Sequence, residues 1–372
     1  MSFLVIDLAE ETKQYCSVIH RADYHRVLLD KAESLGVEIK LGIDVKQVDF
    51  EQTKVITSTG KSFYGDVIVG ADGMSNPSFA SGPPIKTLTS SGIWSILRDQ
   101  LLGYPSPPQE TGDLAYRATF SRASLESLED PSVTAFINKN VLTLWLGAGS
   151  HAVFYPIRSG QEFNLVLACP DDLPPSVRKQ PGNLEQMFEF FKDWDPILSK
   201  IISKAGERQV LKWKLLHHHE LERWTKGTVA LLGDACHPSL PYQAQGAAMA
   251  VEDAAVLGTL LGLYKDSLSS LDSDKIPSVP DVLSVYEALQ KERSTINVRG
   301  AISNRDIYHM HDGPEQEERD RILKAADWVE RDVEERFVSV DPKYWRKMLG
   351  RDSVADAKKA WEEFLGSLGV EK

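Results

Sequence analysis

The chain has 372 residues, 42% hydrophobic and 26% charged, enough for a large core and two domains of a globular protein. Its formal net charge of −12 argues against nucleic acid and against an anionic membrane surface as partners. Three cysteines (Cys16, Cys169 and Cys236) are too few and too scattered for a disulfide framework or a zinc cage, which fits a reducing, cytoplasmic setting.

Met1 to Leu8 is a short apolar run without a basic segment or a cleavage-like site, so no signal peptide is expected. A dinucleotide-binding half opens with a strand, a Gly-rich turn and a helix. Here the first glycine is Gly36. One near-match, Gly147-Ala148-Gly149-Ser150, lies between the strand-like runs VLTLWL and AVFYPIR and therefore reads as a hairpin. His20 to Arg26 opens a helix reaching about Leu35, with Val27, Leu28, Ala32 and Leu35 at helical spacing and Gly36 closing it. Val37–Leu41, Asp44–Phe50 and Lys54–Thr57 alternate and predict a small antiparallel excursion. Asp66 to Val69 reads as a buried strand ending in Gly70-Ala71-Asp72-Gly73.

Met74 to Gly92 is rich in Ser, Pro, Gly and Thr and has no usable periodicity. Beyond the hinge-like Pro105–Pro108, strands are expected over Gly112–Phe120, Val141–Leu146, Ala152–Pro156 and Glu162–Cys169, with helices over Leu184–Phe191 and Trp194–Ile202. His217-His218-His219 is a poor metal site, because on an extended chain only His217 and His219 share a face. Cys236 and His237 are adjacent on a turn, which seldom places a base correctly against a nucleophile. No metal is expected.

Val229 to Leu232 is a short, wholly apolar strand followed by Gly233-Asp234, a loop, and an apolar-periodic helix from about Ala247. Its most apolar stretch carries Glu252 and Asp253 near the middle, which argues against a membrane span. In open α/β sheets ligands sit where strand ends and helix N-termini share a crevice. Asp234 offers a carboxylate to ligand hydroxyls there, and the N–H groups at Gly246 and Ala247 offer an anion site.

The string GDACHPSLPYQAQGAAMAVEDAAVL resembles the GD motif of the flavin-dependent aromatic hydroxylases, in particular the salicylate-hydroxylase-like monooxygenases. HRADYHRVLLDKA resembles the family's helix whose first Arg contacts FAD, here Arg21, and GADG resembles its DG motif, whose Asp, here Asp72, serves flavin and pyridine-nucleotide binding. That motif's Ser and Arg are restored as Ser95 and Arg98 when Ile93–Arg98 is joined directly to Gly73, so Met74–Gly92 reads as an insertion, either a retained intron or a tolerated loop. The resemblance implies that Asp234 holds the ribityl chain of FAD, with Pro241, Gly246 and Ala247 lining the same side. It also implies that Arg117 and Tyr155 face the substrate. Arg117 then attracts an anionic or phenolate group, or else it is a cross-strand Arg paired with a carboxylate.

The implied fold is α/β, an incomplete FAD-binding Rossmann-like parallel sheet with an inserted, mostly antiparallel substrate domain and a helical C-terminus. The expected divisions are 1–110 and 226–265 for FAD, 111–225 for substrate and 266–372 for the helical region. The implied activity is hydroxylation of a small aromatic or phenolic molecule with dioxygen and NAD(P)H through a flavin C4a-hydroperoxide. Because no GxGxxG unit is encoded, two alternatives stay open: a gene model that starts too late, and a catalytically inactive remnant or partner-binding protein on the same scaffold. A flavin halogenase is disfavoured by the missing Trp-x-Trp-x-Ile-Pro string.

Overall fold

The computed structural model describes residues 2–5, 19–73, 94–139, 141–207, 210–325 and 342–370. The expected insertion Met74–Gly92 and Cys16 lie outside these residues. The chain divides into two compact units, one of residues 1–40, 110–215 and 303–350, the other of 41–109, 216–302 and 351–372.

The first unit is built on a seven-stranded sheet. Its strands are β1 (Ser2–Val5), β6 (Gln109–Ser121), β7 (Thr143–Gly147), β8 (Ser150–Ile157), β9 (Glu162–Pro170), β10 (Lys179–Pro181) and β11 (Leu211–His217), in the order β1-β7-β8-β9-β6-β11-β10. The registered pairs are antiparallel, as the alternating pattern predicts. Gly147 pairs with Ser150 across a tight turn, so the near-match to a phosphate loop is the expected hairpin.

Alternation sorts this sheet into two faces. Leu114, Tyr116, Ala118 and Phe120 of β6, Phe154 of β8, and Phe163, Leu165 and Leu167 of β9 build one core with Trp145. Packed on that face are α3 (Arg122–Glu126), α4 (Pro131–Ile137), α5 (Leu184–Phe191) and α6 (Pro196–Ser203). Asp130 caps α4 and Asp195 caps α6, each followed by Pro at the first helical position, where its missing N–H costs nothing. The other face carries the odd residues of β6 and β8 and the even ones of β9.

At the hairpin end of that second face, His151 Nδ1 lies 2.8 Å from His309 Nε2, beside an Asp113–Arg305 ion pair. Burial pushes the pKa of His309 down to about 4, against the pull of Asp113, and lowers that of His151 as well. Unfolded His309 therefore binds a proton below about pH 6.5 that the folded chain refuses until about pH 4, so this residue alone should lower stability through that window by about 3 kcal/mol, with His151 adding in the same direction. Urea unfolding at both ends of the window checks this. His309→Gln should flatten the dependence, and an equally steep curve in that variant would overturn it.

The second unit contains β2 (Val45–Asp49), β3 (Lys54–Thr57) and β4 (Ser62–Tyr64) as one antiparallel sheet, and β5 (Ile68–Gly70), β12 (Thr225–Lys226) and β13 (Val229–Leu231) as another. β13 pairs β5 in parallel, Val229 opposite Ile68 and Leu231 opposite Gly70. Around this pair lie α2 (Ile96–Leu102), α7 (Gly246–Ser270), the first part of α8 (Val279–Tyr308) and α11 (Ser353–Ser367), with Val229, Leu231, Val256, Leu260, Tyr286 and Trp361 in one buried core. The remaining helices, α1 (Arg21–Ser34), α9 (Pro314–Ala325) and α10 (Pro342–Leu349), belong to the first unit.

Val37–Leu41 is not a strand. Its apolar residues are exposed, Val37 by 53% and Leu41 by 88%, so alternation there has no face to bury. Among the described residues one helix, α7, is long and apolar enough to cross a membrane by length and composition. In this fold Met249, Val256, Leu257 and Leu260 of α7 are buried in the second unit, and Asp253 is fully buried within it.

Candidate functional site

β13 ends on Gly233-Asp234, where the chain must reverse. Gly233 takes φ +61°, and a Cβ there would sit 2.9 Å from that of Ala250 on α7. The loop Asp72-Gly73 after β5 comes still closer, since a Cβ on Gly73 would lie 2.1 Å from the Asp234 carbonyl carbon. The two motifs therefore form one layered turn, and only glycine permits their approach.

Arg98 holds the Asp234 side of this turn, and Ser95 the Asp72 side. Arg98 is fully buried, with Nε donating to Ala235 O at 2.6 Å and Nη2 to Asp234 O at 2.8 Å. Nη1 lies 2.7 Å from His218 Nε2. Because a guanidinium only donates, His218 must accept there, which leaves its proton on Nδ1, 3.3 Å from Ser106 Oγ. Burial lowers the pKa of Arg98, while the charges of Asp99, Asp72 and Asp234 oppose that shift. Ser95 caps α2 by accepting from the Arg98 N–H, and donates its own hydroxyl to Asp72 Oδ1 at 2.6 Å. Asp72 Oδ2 accepts from Leu97 N–H at 3.2 Å. Thus Ser95 and Arg98, brought to Gly73 in the sequence only by closing a gap, do stand beside it in the fold.

Asp253 works from the other side. Its Oδ2 accepts from Gly233 N–H at 2.9 Å and lies 2.6 Å from His237 Nε2, and its Oδ1 accepts from Gln290 at 2.9 Å. Cys236, His237 and Asp253 are the one group among the described residues with three metal-capable atoms close together, within 4.8 Å. The hydrogen bonds already account for this cluster. Burial and the neighbouring carboxylate push the Cys236 pKa well up, so it stays a thiol, a poor metal ligand, and donates to Gly233 O. His217 and His219 lie with ring centroids 6.5 Å apart, while His218 turns to Arg98, as alternation requires.

The loop after Asp234 passes Pro241, which is exposed, and Ala244, a non-glycine residue at φ +55°, before α7 begins at Gly246. No side chain caps α7, its first turn closes from Met249 N–H to Gln245 O, and nothing stands within 4 Å of a Cβ built on Gly246. The first-turn N–H groups of Gly246 and Ala247 have no partner within the helix and stand at the positive end of a long helix that no side chain caps. With the partly exposed Asp234 carboxylate, this donor set fits a cofactor that carries sugar hydroxyls and a pyrophosphate.

In the first unit Arg117 and Tyr155 do come together, on the sheet face away from the helices. Arg117, Val166 and Val153 form one cross-strand row, and Thr119, Asn164 and Tyr155 the next. Arg117 Nε donates to Asn164 Oδ1 at 2.9 Å. Among the described residues Arg117 has no carboxylate partner, so the paired cross-strand reading does not hold within them. Asn164 is 1% exposed, and its Nδ2 has no hydrogen-bond partner among the described residues. Burial raises the Tyr155 pKa, with Arg117 pulling the other way, so the phenol stays protonated. Arg21 is exposed on the first turn of α1 and has no ion-pair partner among the described residues. Sequence reasoning does not mark Asn164, Asp253 or Gln290 as functional. The signal that could have found the first two is a polar residue placed inside an apolar periodic run.

A parallel strand leading into a Gly-Asp turn, an uncapped helix behind it and a separate antiparallel sheet are the features expected of the FAD-binding flavoprotein hydroxylases. The chain belongs to that family, matching the family described as "FAD binding domain" over residues 2–267. It is 35% identical over 346 residues to the FAD-dependent monooxygenase OpS4 of Beauveria bassiana (strain ARSEF 2860), covering 92% of this chain and 73% of that protein. It is 32% identical over 260 residues to 3-hydroxybenzoate 6-hydroxylase 1 of Aquipseudomonas alcaligenes, covering 68% of this chain and 58% of that protein. Among solved structures, a salicylate hydroxylase substrate complex shares the fold with a TM-score of 0.69 at 23% identity, over 92% of this chain and 75% of that one. The protein is thus an FAD-dependent oxidoreductase of the aromatic-hydroxylase type.

Proposed function

We propose that the protein hydroxylates a small aromatic or phenolic molecule, using dioxygen and electrons from NADH or NADPH. The observation that carries this reading is the layered Gly-Asp turn facing an uncapped helix N-terminus, a donor set suited to FAD. When bound, FAD supplies the electron transfer and the oxygen activation. The chain's own residues bind and orient. Asp234 would accept from the ribityl hydroxyls, Gly246 and Ala247 would offer N–H groups to the pyrophosphate, and Pro241 lines the same loop. Asp72 supports the turn from the neighbouring strand, and Arg21 would contact the FAD. Arg117 and Tyr155 present a cation and a neutral phenol to the substrate, a pair suited to an acidic or phenolic oxygen. A relative named for 3-hydroxybenzoate and a structural neighbour named for salicylate put aromatic acids first among candidates. A cytoplasmic setting belongs to the same reading, since Cys169 and Cys236 are buried free thiols.

The test uses purified protein loaded with FAD and a panel of aromatic acids and phenols. The expected result is NAD(P)H oxidation that accelerates on adding one of them, with a hydroxylated product by mass spectrometry. A protein that never takes up FAD would favour the inactive remnant. A yellow protein whose NAD(P)H oxidation ignores every aromatic would overturn the hydroxylase reading.

A further inference from the structure

Three separate elements of the second unit each send one polar side chain into its core, and these side chains form a continuous chain of hydrogen bonds. Arg351, just before α11, donates from Nη1 to Gln290 Oε1 at 2.8 Å. Gln290, on α8 and 1% exposed, donates from Nε2 to Asp253 Oδ1 at 2.9 Å. Asp253, on α7 and fully buried, accepts the Gly233 N–H at 2.9 Å and holds His237 Nε2 at 2.6 Å. The direction of every bond from Arg351 to Asp253 is forced. Arginine only donates, so the amide oxygen of Gln290 must face Arg351, which leaves its NH2 for the Asp253 carboxylate. No member can turn without stranding a buried polar atom on its neighbour. Arg351 is tied in turn to Asp356 Oδ2 at 2.6 Å, on a helix that buries Ala357 and Trp361 in the same core.

We propose that this relay is how the C-terminal helix holds the flavin turn in its binding geometry, with Arg351 and Gln290 as positioning residues for FAD. Asp253 is the point of transmission. It fixes the backbone N–H of the residue before Asp234, and among the described residues its second oxygen is held through Gln290. A displacement of α11 therefore reaches the turn without any contact between that helix and the cofactor. The inference rests on the reading that FAD meets the Gly233–Asp234 turn.

Gln290→Glu tests it without changing shape. Facing Gln290 are Asp253 from α7 and Arg351 before α11, with Asp356 behind Arg351 and His237 behind Asp253. When protonated, the introduced carboxyl can donate to Asp253 and accept from Arg351, as the glutamine does. When ionised, it sets two carboxylates against each other. FAD affinity of the full chain, read by flavin fluorescence between about pH 5 and about pH 8, should match wild type at the acid end. It should then weaken about tenfold relative to wild type at the same pH as the new carboxyl ionises. Arg351→Met should weaken FAD binding at every pH, and it keeps the test open if the glutamate variant fails to fold.

A purely structural relay predicts lowered melting midpoints in both variants with wild-type FAD affinity throughout, and that result overturns the proposal. Asp234→Ala separates the two levels. If it leaves FAD affinity unchanged, the placement of FAD at this turn is wrong. If it weakens FAD while Gln290→Glu and Arg351→Met do not, only the relay is wrong.

Discussion

Replacing Arg98 with methionine should lower the melting midpoint by about 10 °C and abolish FAD loading. From α2, Arg98 holds the Asp234–Ala235 side of the layered turn, and its donors satisfy the carbonyls of Asp234 and Ala235 and the Nε2 of His218. Methionine fills much of the same space but leaves all three acceptors buried. Charge-assisted hydrogen bonds of this kind contribute about 1.5–3 kcal/mol each, and the relief of burying a cation offsets part of the loss, leaving about 3–5 kcal/mol. Arg98→Lys should rescue little, because one ammonium cannot reach acceptors that a planar fork reaches together. Calorimetry of each variant with and without FAD decides the matter. A methionine variant melting within about 2 °C of wild type, and still yellow, would show that glycine packing alone holds the turn.

This turn is unevenly legible in the sequence, for physical reasons. Val229 to Asp234 stands out because a fully apolar run ending on Gly-Asp suits a buried parallel strand and little else, and β13 does pair in parallel with β5. Arg98 is legible only by setting aside Met74–Gly92, since a side chain's partners depend on the path of the chain and not on its spacing along it. Asp253 is visible as an oddity, a carboxylate inside an apolar helix, and from sequence it argues only against a membrane span. Its link to Gln290 and Arg351 joins residues far apart in sequence and obeys no period. Val37–Leu41 fails for the opposite reason: alternation describes a strand only where a partner sheet exists to receive it. In the first unit alternation does hold, and it puts Arg117 and Tyr155 on one face. It does not mark Asn164, because a single polar residue in FNLVLACP looks like an interruption until the register places it between them.

Asn164→Asp should weaken binding of an aromatic acid by about a hundredfold while leaving its neutral amide analogue nearly untouched. In the wild type Asn164 Oδ1 takes one N–H of Arg117 without cancelling its charge, and the guanidinium keeps its remaining donors for another acceptor. An aspartate at this position accepts the same hydrogen bond but supplies a counter-ion at a site only 1% exposed, so Arg117 becomes paired within the protein. The ligand then loses an attractive cation and meets a carboxylate. Either change is worth about 1.5–3 kcal/mol for a charged hydrogen bond, which sets the hundredfold scale. The fold should not suffer, since the new ion pair replaces an existing contact, and the melting midpoint should stay level or rise. Titrating FAD-loaded protein with a hydroxybenzoate and with its amide, in wild type and variant, reads the discrimination directly. Arg117→Gln should lose affinity for the acid in the same direction. Should the aspartate variant hold the acid as tightly as wild type, Arg117 is not the group that recognises the substrate, and the polar row beside it serves only the sheet.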